Sequence, residues 1–271
     1  MSLIEIAQET VRIAEQGAYV APSGQTVSIR EAVERAVRGT VLYRPADFAR
    51  LEVPPAPGGP LRVEVTPEKT GAAARRLNEH EGVERVLALN FASARNPGGG
   101  FLRGAKAQEE DLARCSALYP CLLTQPEYYD VNRAEPSLLY TDHMIYSPGV
   151  PFFRSEKLEL LERPFHLSLI TAPAPNAGQV LRQEPTAGPR IRQVLHARAL
   201  KVLRIAAQRG YRTLVLGAWG CGVFGNEPKD AVDAFSAALE ALPGAFERVV
   251  FAVYERNGDG PNLRTFRERF G

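Results

Sequence analysis

Cysteine and histidine are both scarce in this chain. Only Cys115, Cys121 and Cys221 occur among 271 residues, and the histidines number four, His80, His143, His166 and His196. Three thiols in a chain of this length do not make a disulfide framework, so reduced cysteines in a cytoplasmic setting are expected. The histidines are scattered with no paired ligand spacing, so neither a metal nor a cofactor is expected. An excess of one charge is missing too: 33 basic residues face 31 acidic ones, a formal net charge of +2. That balance offers no broad cationic face, direct DNA binding is not expected, and any acidic ligand must be held by a local site. No long apolar run and no basic-then-apolar leader after Met1 is present, so membrane insertion and export are not expected.

What is present suits an ordinary globular protein, with 45% hydrophobic and 24% charged residues, and the length allows a substantial core without staples. Apolar residues from Leu3 to Ala14 recur at helical spacing until Gly17. A short extended piece at 25–28 leads into a second helix ending near Gly39, and "VPPAPGGP" at 53–60 reads as a linker. Residues 1–60 are therefore expected to form an accessory N-terminal helical extension, with the main domain at 61–271. Within 61–271, β-rich apolar runs (61–65, 86–90, 144–147, 165–171, 213–216 and 248–254) alternate with helical patterns (67–80, 108–116, 190–209, 228–241 and 263–270). Alternation of this kind predicts a layered α/β fold with a largely parallel, buried sheet.

Two glycine-rich loops follow strands. After "VLALN" comes "FASARNPGGGFLRGAKAQEE", in which Gly98, Gly99 and Gly100 follow Asn96-Pro97. Consecutive glycines cost conformational entropy that a plain turn does not require, and they let backbone N–H groups converge on an anion. The bland account is a flexible loop, but this one delivers its ligand to a helix start carrying Glu109 and Glu110. The second loop, "GAWGCGVFGNEP", places Gly220, Gly222 and Gly225 at the G-x-G-x-x-G spacing of dinucleotide-binding folds, with Glu255 downstream as a candidate ribose partner. Only about 45 residues follow Gly225, too few for a dinucleotide domain, and the helix begins after the third glycine. The two loops acting together on one diphosphate is the better reading.

Adjacent glutamates diverge by roughly 100° around a helix, so they do not readily flank one sugar as acid and nucleophile. One as acid/base and the other holding a ribose hydroxyl fits better; ordinary first-turn acidity is the bland alternative. Cys221 has no histidine at a recognisable spacing and is not expected to be a nucleophile. Trp219 reads as packing. Tyr254 and, less so, Asn257 are candidates for an adenine side. Arg95, Arg103 and Lys106 surround the first loop and would attract an anionic polymer, although a solvated face accounts for any one of them.

"GGG", seven residues "FLRGAKA" and then "QEE" resemble the signature of poly(ADP-ribose) glycohydrolases, in particular the compact bacterial type. "GCGVFGN", "MIYSPGVPFFR" at 144–154 and "TAPAPN" at 171–176 are also similar to that group, and the resemblance covers roughly 60–270. It implies a macrodomain-like three-layer fold, a mixed and mostly parallel sheet between helices. The implied activity is cleavage of ribose–ribose bonds in poly(ADP-ribose), or action on ADP-ribosylated proteins, with ADP-ribose as product. Under it Glu110 is the general acid/base, Glu109 and Asn96 hold the reacting ribose, and Phe224 packs on that ribose. Gly98, Gly99 and Gly100 from the first loop, and Gly220, Cys221, Gly222, Val223 and Gly225 from the second, hold the diphosphate through backbone N–H groups. A non-catalytic ADP-ribose reader, a hydrolase of single ADP-ribose adducts and an NAD-dependent oxidoreductase are the competing functions.

Overall fold

The computed structural model describes residues 1–271. Helix α1 (Leu3–Gln16) opens with a reciprocal cap: the Ser2 hydroxyl accepts the Glu5 N–H and the Glu5 carboxylate accepts the Ser2 N–H. It stops at Gly17, which is left-handed at φ 68°. Strands β1 (Ala18–Val20) and β2 (Thr26–Ser28) make a small antiparallel hairpin. Next come α2 (Arg30–Gly39), β3 (Val41–Tyr43) and α3 (Asp47–Arg50), then an irregular stretch at 51–61.

The remainder runs β4 (Arg62–Thr66), α4 (Thr70–Arg75, continued by a π turn to His80), β5 (Val86–Phe91), a 3₁₀ turn (Phe101–Arg103), α5 (Gln108–Cys115), α6 (Leu118–Leu123) and α7 (Pro126–Ala134). Then follow β6 (Met144–Arg154), β7 (Leu160–Ala172), α8 (Ala177–Gln183), α9 (Gly188–Gln208), β8 (Thr213–Leu216), α10 (Pro228–Glu240), β9 (Arg248–Ala252) and α11 (Pro261–Phe270).

Seven strands form one mixed sheet in the order β3-β6-β7-β5-β8-β9-β4. The pairings from β7 through β4 are parallel, and β3 and β6 join antiparallel at the other edge. Continuous apolar runs in the central strands serve two cores, one on each face. In β5, Leu87 and Leu89 enter one core while Val86 and Ala88 enter the other; β8 and β9 alternate in the same way. The α/β layered expectation and its helix–strand alternation hold.

Two differences have local causes. The sequence pattern ended β6 at Ser147, because Pro148, Gly149 and Pro151 break it. The strand continues to Arg154 by shifting register between Ser147 and Val150, with the Gly149 N–H donating to Ser168 Oγ at 2.9 Å. The other difference is at the N-terminus, where β3 pairs with β6 as the edge of the main sheet. Helix α1 also supports the first glycine loop. Ala7 packs with Phe101 and Ala113, and the Thr10 hydroxyl donates to the Arg114 carbonyl at 2.7 Å. Buried Arg154 donates to Thr10 and pairs with Glu9.

Candidate active site

The carboxyl ends of β5, β7, β8 and β9 open into one cleft of about 840 Å³, the position where open α/β sheets hold ligands. Gln108 fixes the first catalytic element there. Its Oε1 accepts the Phe91 N–H at 2.8 Å, and its Nε2 donates to the Leu89 carbonyl at 2.7 Å and to Thr70 Oγ1 at 3.1 Å. One side chain thus ties the start of α5 to the end of β5 and to α4.

Glu109 is buried, 2% exposed. Its carboxyl accepts the Ser93 N–H at 2.6 Å and the Asn90 amide at 3.2 Å. Burial nevertheless dominates and pushes it up to about 8, with Glu110 adding to the rise and the Ser93, Asn90 and Gly98 donors opposing it. Glu110 is half-buried, and its Oε1 accepts the Gly100 N–H at 2.9 Å. Its second oxygen has no hydrogen-bond partner within the protein, and the residue lines the cleft.

The triple glycine serves these carboxyls. A Cβ on Gly99, which sits at φ 61°, would lie 2.2 Å from Glu110 Oε1 and 3.2 Å from Glu109 Oε2. The side chains leave the helix in different directions, yet both carboxyls close on the same glycine, which spacing alone does not reveal. Of the three amides expected to face the diphosphate, the Gly100 N–H is held by Glu110 and the Gly99 N–H by the Asn96 carbonyl at 2.9 Å.

The second loop does present free donors. The N–H groups of Gly220, Gly222, Val223 and Phe224 donate to no acceptor in the protein, and all four residues line the cleft. The amides of Cys221 and Gly225 turn inward, to the carbonyls of Ala218 and Gly222. Gly220, at φ 75°, leaves no room for a side chain: a Cβ would lie 2.4 Å from Asn226 Nδ2 and 2.6 Å from Ala174 Cβ. Asn226 locks the turn by donating to the carbonyls of Pro175, at 2.8 Å, and Gly220, at 3.1 Å.

Around these loops, Asn96 is exposed on the rim, and Phe224 faces Tyr140 with ring centroids 6.0 Å apart. Tyr140 holds an uncommon φ of 60°, maintained by buried Arg198, which donates to the carbonyls of Leu139 and Tyr140. Nothing in its sequence neighbourhood signals that role. Tyr254 stands 54% exposed on the cleft wall, with the Lys69 ammonium 5.4 Å from its ring centroid. Asn257 lies exposed in the following turn, outside the cleft lining; Arg256 and Asn262 line it instead. Trp219 is fully buried and donates to the Ala172 carbonyl, so it is packing. Burial pushes the Cys221 thiol up to about 12, which removes it as a nucleophile at neutral pH. Glu255 accepts the N–H groups of Asn262 and Leu263 at the start of α11 and is not a ribose partner. No three His, Cys, Asp or Glu side chains are grouped so as to hold a metal ion.

Residues 7–155 match the family model described as microbial-type PARG, catalytic domain. No curated protein matches the chain. Among solved structures, poly(ADP-ribose) glycohydrolase from Thermomonospora curvata is 46% identical over 99% of both chains, with a TM-score of 0.92. The same enzyme bound to the inhibitor ADP-HPD gives a TM-score of 0.91. The Deinococcus radiodurans glycohydrolase in complex with ADP-ribose is 44% identical over 90% of this chain and 98% of its own, with a TM-score of 0.81.

Proposed function

The chain belongs to the microbial-type poly(ADP-ribose) glycohydrolase family, and on that premise we propose how its cleft divides the work. The protein is a glycosidase that cleaves the ribose–ribose O-glycosidic bonds of poly(ADP-ribose) and releases ADP-ribose. Glu110 is its general acid/base. As the bond between the anomeric carbon and the 2′-oxygen of the neighbouring adenosine breaks, the bonding pair stays on that oxygen and Glu110 supplies its proton. Water then adds to the oxocarbenium-like carbon and returns a proton to Glu110. The observation that carries this role is the asymmetric grip on the carboxyl: one oxygen anchored on the Gly100 N–H, the other free at the cleft.

Glu109 and Asn96 orient the reacting ribose, and Phe224, backed by Tyr140, packs on it. The free amides at Gly220 and Gly222–Phe224 form an anion-binding concavity for the diphosphate, and Tyr254, exposed on the cleft wall, is our candidate for the adenine side. Residues 1–60 are an N-terminal extension built onto the catalytic domain at 61–271. No helix is long and apolar enough to cross a membrane; the three unpaired thiols suit a cytoplasmic setting, and the even charge balance gives no reason for direct DNA contact.

Incubation with purified polymer tests the reading directly, with free ADP-ribose expected by chromatography. A protein that binds ADP-ribose but releases none from polymer is a reader; one that binds NADH and ignores ADP-ribose is a dinucleotide enzyme.

A further inference from the structure

The glycosidase reading accounts for the wall of the cleft formed by the second loop and leaves the opposite rim, beyond Glu110, unused. That rim is built by two segments far apart in sequence. Leu3, in the first turn of α1, lines the cleft together with Lys106, Gly100 and Glu110. A Cβ on Gly104 would meet Ile4 Cγ1 at 3.3 Å and Leu3 Cβ at 3.9 Å, so the start of α1 lies directly against the loop that ends at Glu110. Ile4 and Leu102 are exposed beside it, at 43% and 40%. Arg103 and Lys106 are exposed on the same loop, Lys106 lining the cleft, and neither side chain makes an ion pair or a hydrogen bond. The support is rigid: the Ser2–Glu5 cap fixes the first turn, and Phe101 locks the loop between Ala7 and Ala113.

We propose that this rim, with Leu3 as its apolar floor and Lys106 and Arg103 as its cations, is a subsite for the leaving-group unit of the polymer, the adenosine diphosphate whose 2′-oxygen departs. This rests on Glu110 being the proton donor. Connectivity then dictates the occupant. The departing 2′-oxygen sits on the carbon next to the one that bears adenine, so the flat face of a purine must lie close to Glu110, on the leaving-group side. The 5′-phosphates of that unit follow a few bonds further on. An aliphatic surface with unpaired cations next to it has the complementary chemistry for both.

The test compares two substrates of the intact protein: poly(ADP-ribose), and an aryl glycoside of ADP-ribose whose small leaving group cannot reach the rim. For Lys106→Ala/Arg103→Ala and for Leu3→Asn, kcat/KM on polymer should fall about tenfold, while the aryl glycoside and ADP-ribose affinity stay within about twofold of wild type. The deficit of the charge variant should shrink as salt is raised. Equal losses on both substrates would mean damage to Glu110 and overturn the subsite, as would unchanged polymer cleavage. Wild-type protein that hydrolyses the aryl compound but not the polymer would refute the polymer reading separately. Sedimentation showing a dimer that the Leu3→Asn variant dissolves would assign the rim to a second copy of this chain.

Discussion

At the scale of single residues, the paired glutamates divide by environment. Glu110→Gln keeps shape and hydrogen bonding but removes the transferable proton, so turnover of polymer should drop by about 10²–10⁴. ADP-ribose affinity, measured by calorimetry, should hardly change, because the free amides of the second loop are untouched. Glu109 carries a different signature. Burial raises it from 4.5 to about 8 in the folded protein, so between those values the folded state binds more protons than the unfolded one. Its contribution to stability is complete at acid pH and is lost as pH rises through that window. Melting curves should therefore show wild type losing ground to Glu109→Gln between pH 5 and pH 8.5, values set at about the edges of that window. Parallel profiles would show that Glu109 is ionised throughout. The sequence marks both acids by their place after a glycine run, but not their convergence on Gly99, because that depends on how the loop folds back over the helix.

At the scale of elements, the second loop is a rigid donor array rather than a flexible strap. Gly220 holds a left-handed turn against Asn226 and Ala174. Gly220→Ala should cost about 1–3 kcal/mol of stability through strain and contact, and it should weaken ADP-ribose binding at least about tenfold by turning the neighbouring amides. Denaturant titration and calorimetry check the two effects. Unchanged binding would move the diphosphate elsewhere. Elements with long apolar runs, such as β5, β8 and α9, were legible from pattern alone. Three-residue β3 was not, since so short a run carries no periodicity, and α6 and α7 are obscured by Pro120 and Pro126. The reach of β6 past Pro151 depends on a register shift against β7, a tertiary event that no local propensity encodes. Tyr140 escapes for a similar reason: its backbone is imposed by Arg198, 58 residues away.

At the scale of the whole molecule, the N-terminal segment is structural as well as positional. A chain lacking residues 1–50 loses β3 from the sheet edge and leaves Arg154 without Glu9 and Thr10. Unpairing a buried charge costs about 3–5 kcal/mol, so the shortened protein should melt broadly or aggregate, as circular dichroism and light scattering would show. A cooperative melt at the wild-type temperature would make the segment dispensable. The pairing of β4 with β9 has a consequence during synthesis. Residues 62–66 must wait for partners at 248–252, a delay of roughly 10–40 s at ~5–20 residues per second. Through that interval the nascent strand carries Arg62 and Glu64 along an open edge, and such charges discourage other chains from pairing there. When β9 emerges, Arg248 closes on Glu64 at 2.6 Å. The cleft uses the end of β9 for one wall, so the pocket is finished only once β9 has joined the sheet, long after the two glutamates of α5 have been made.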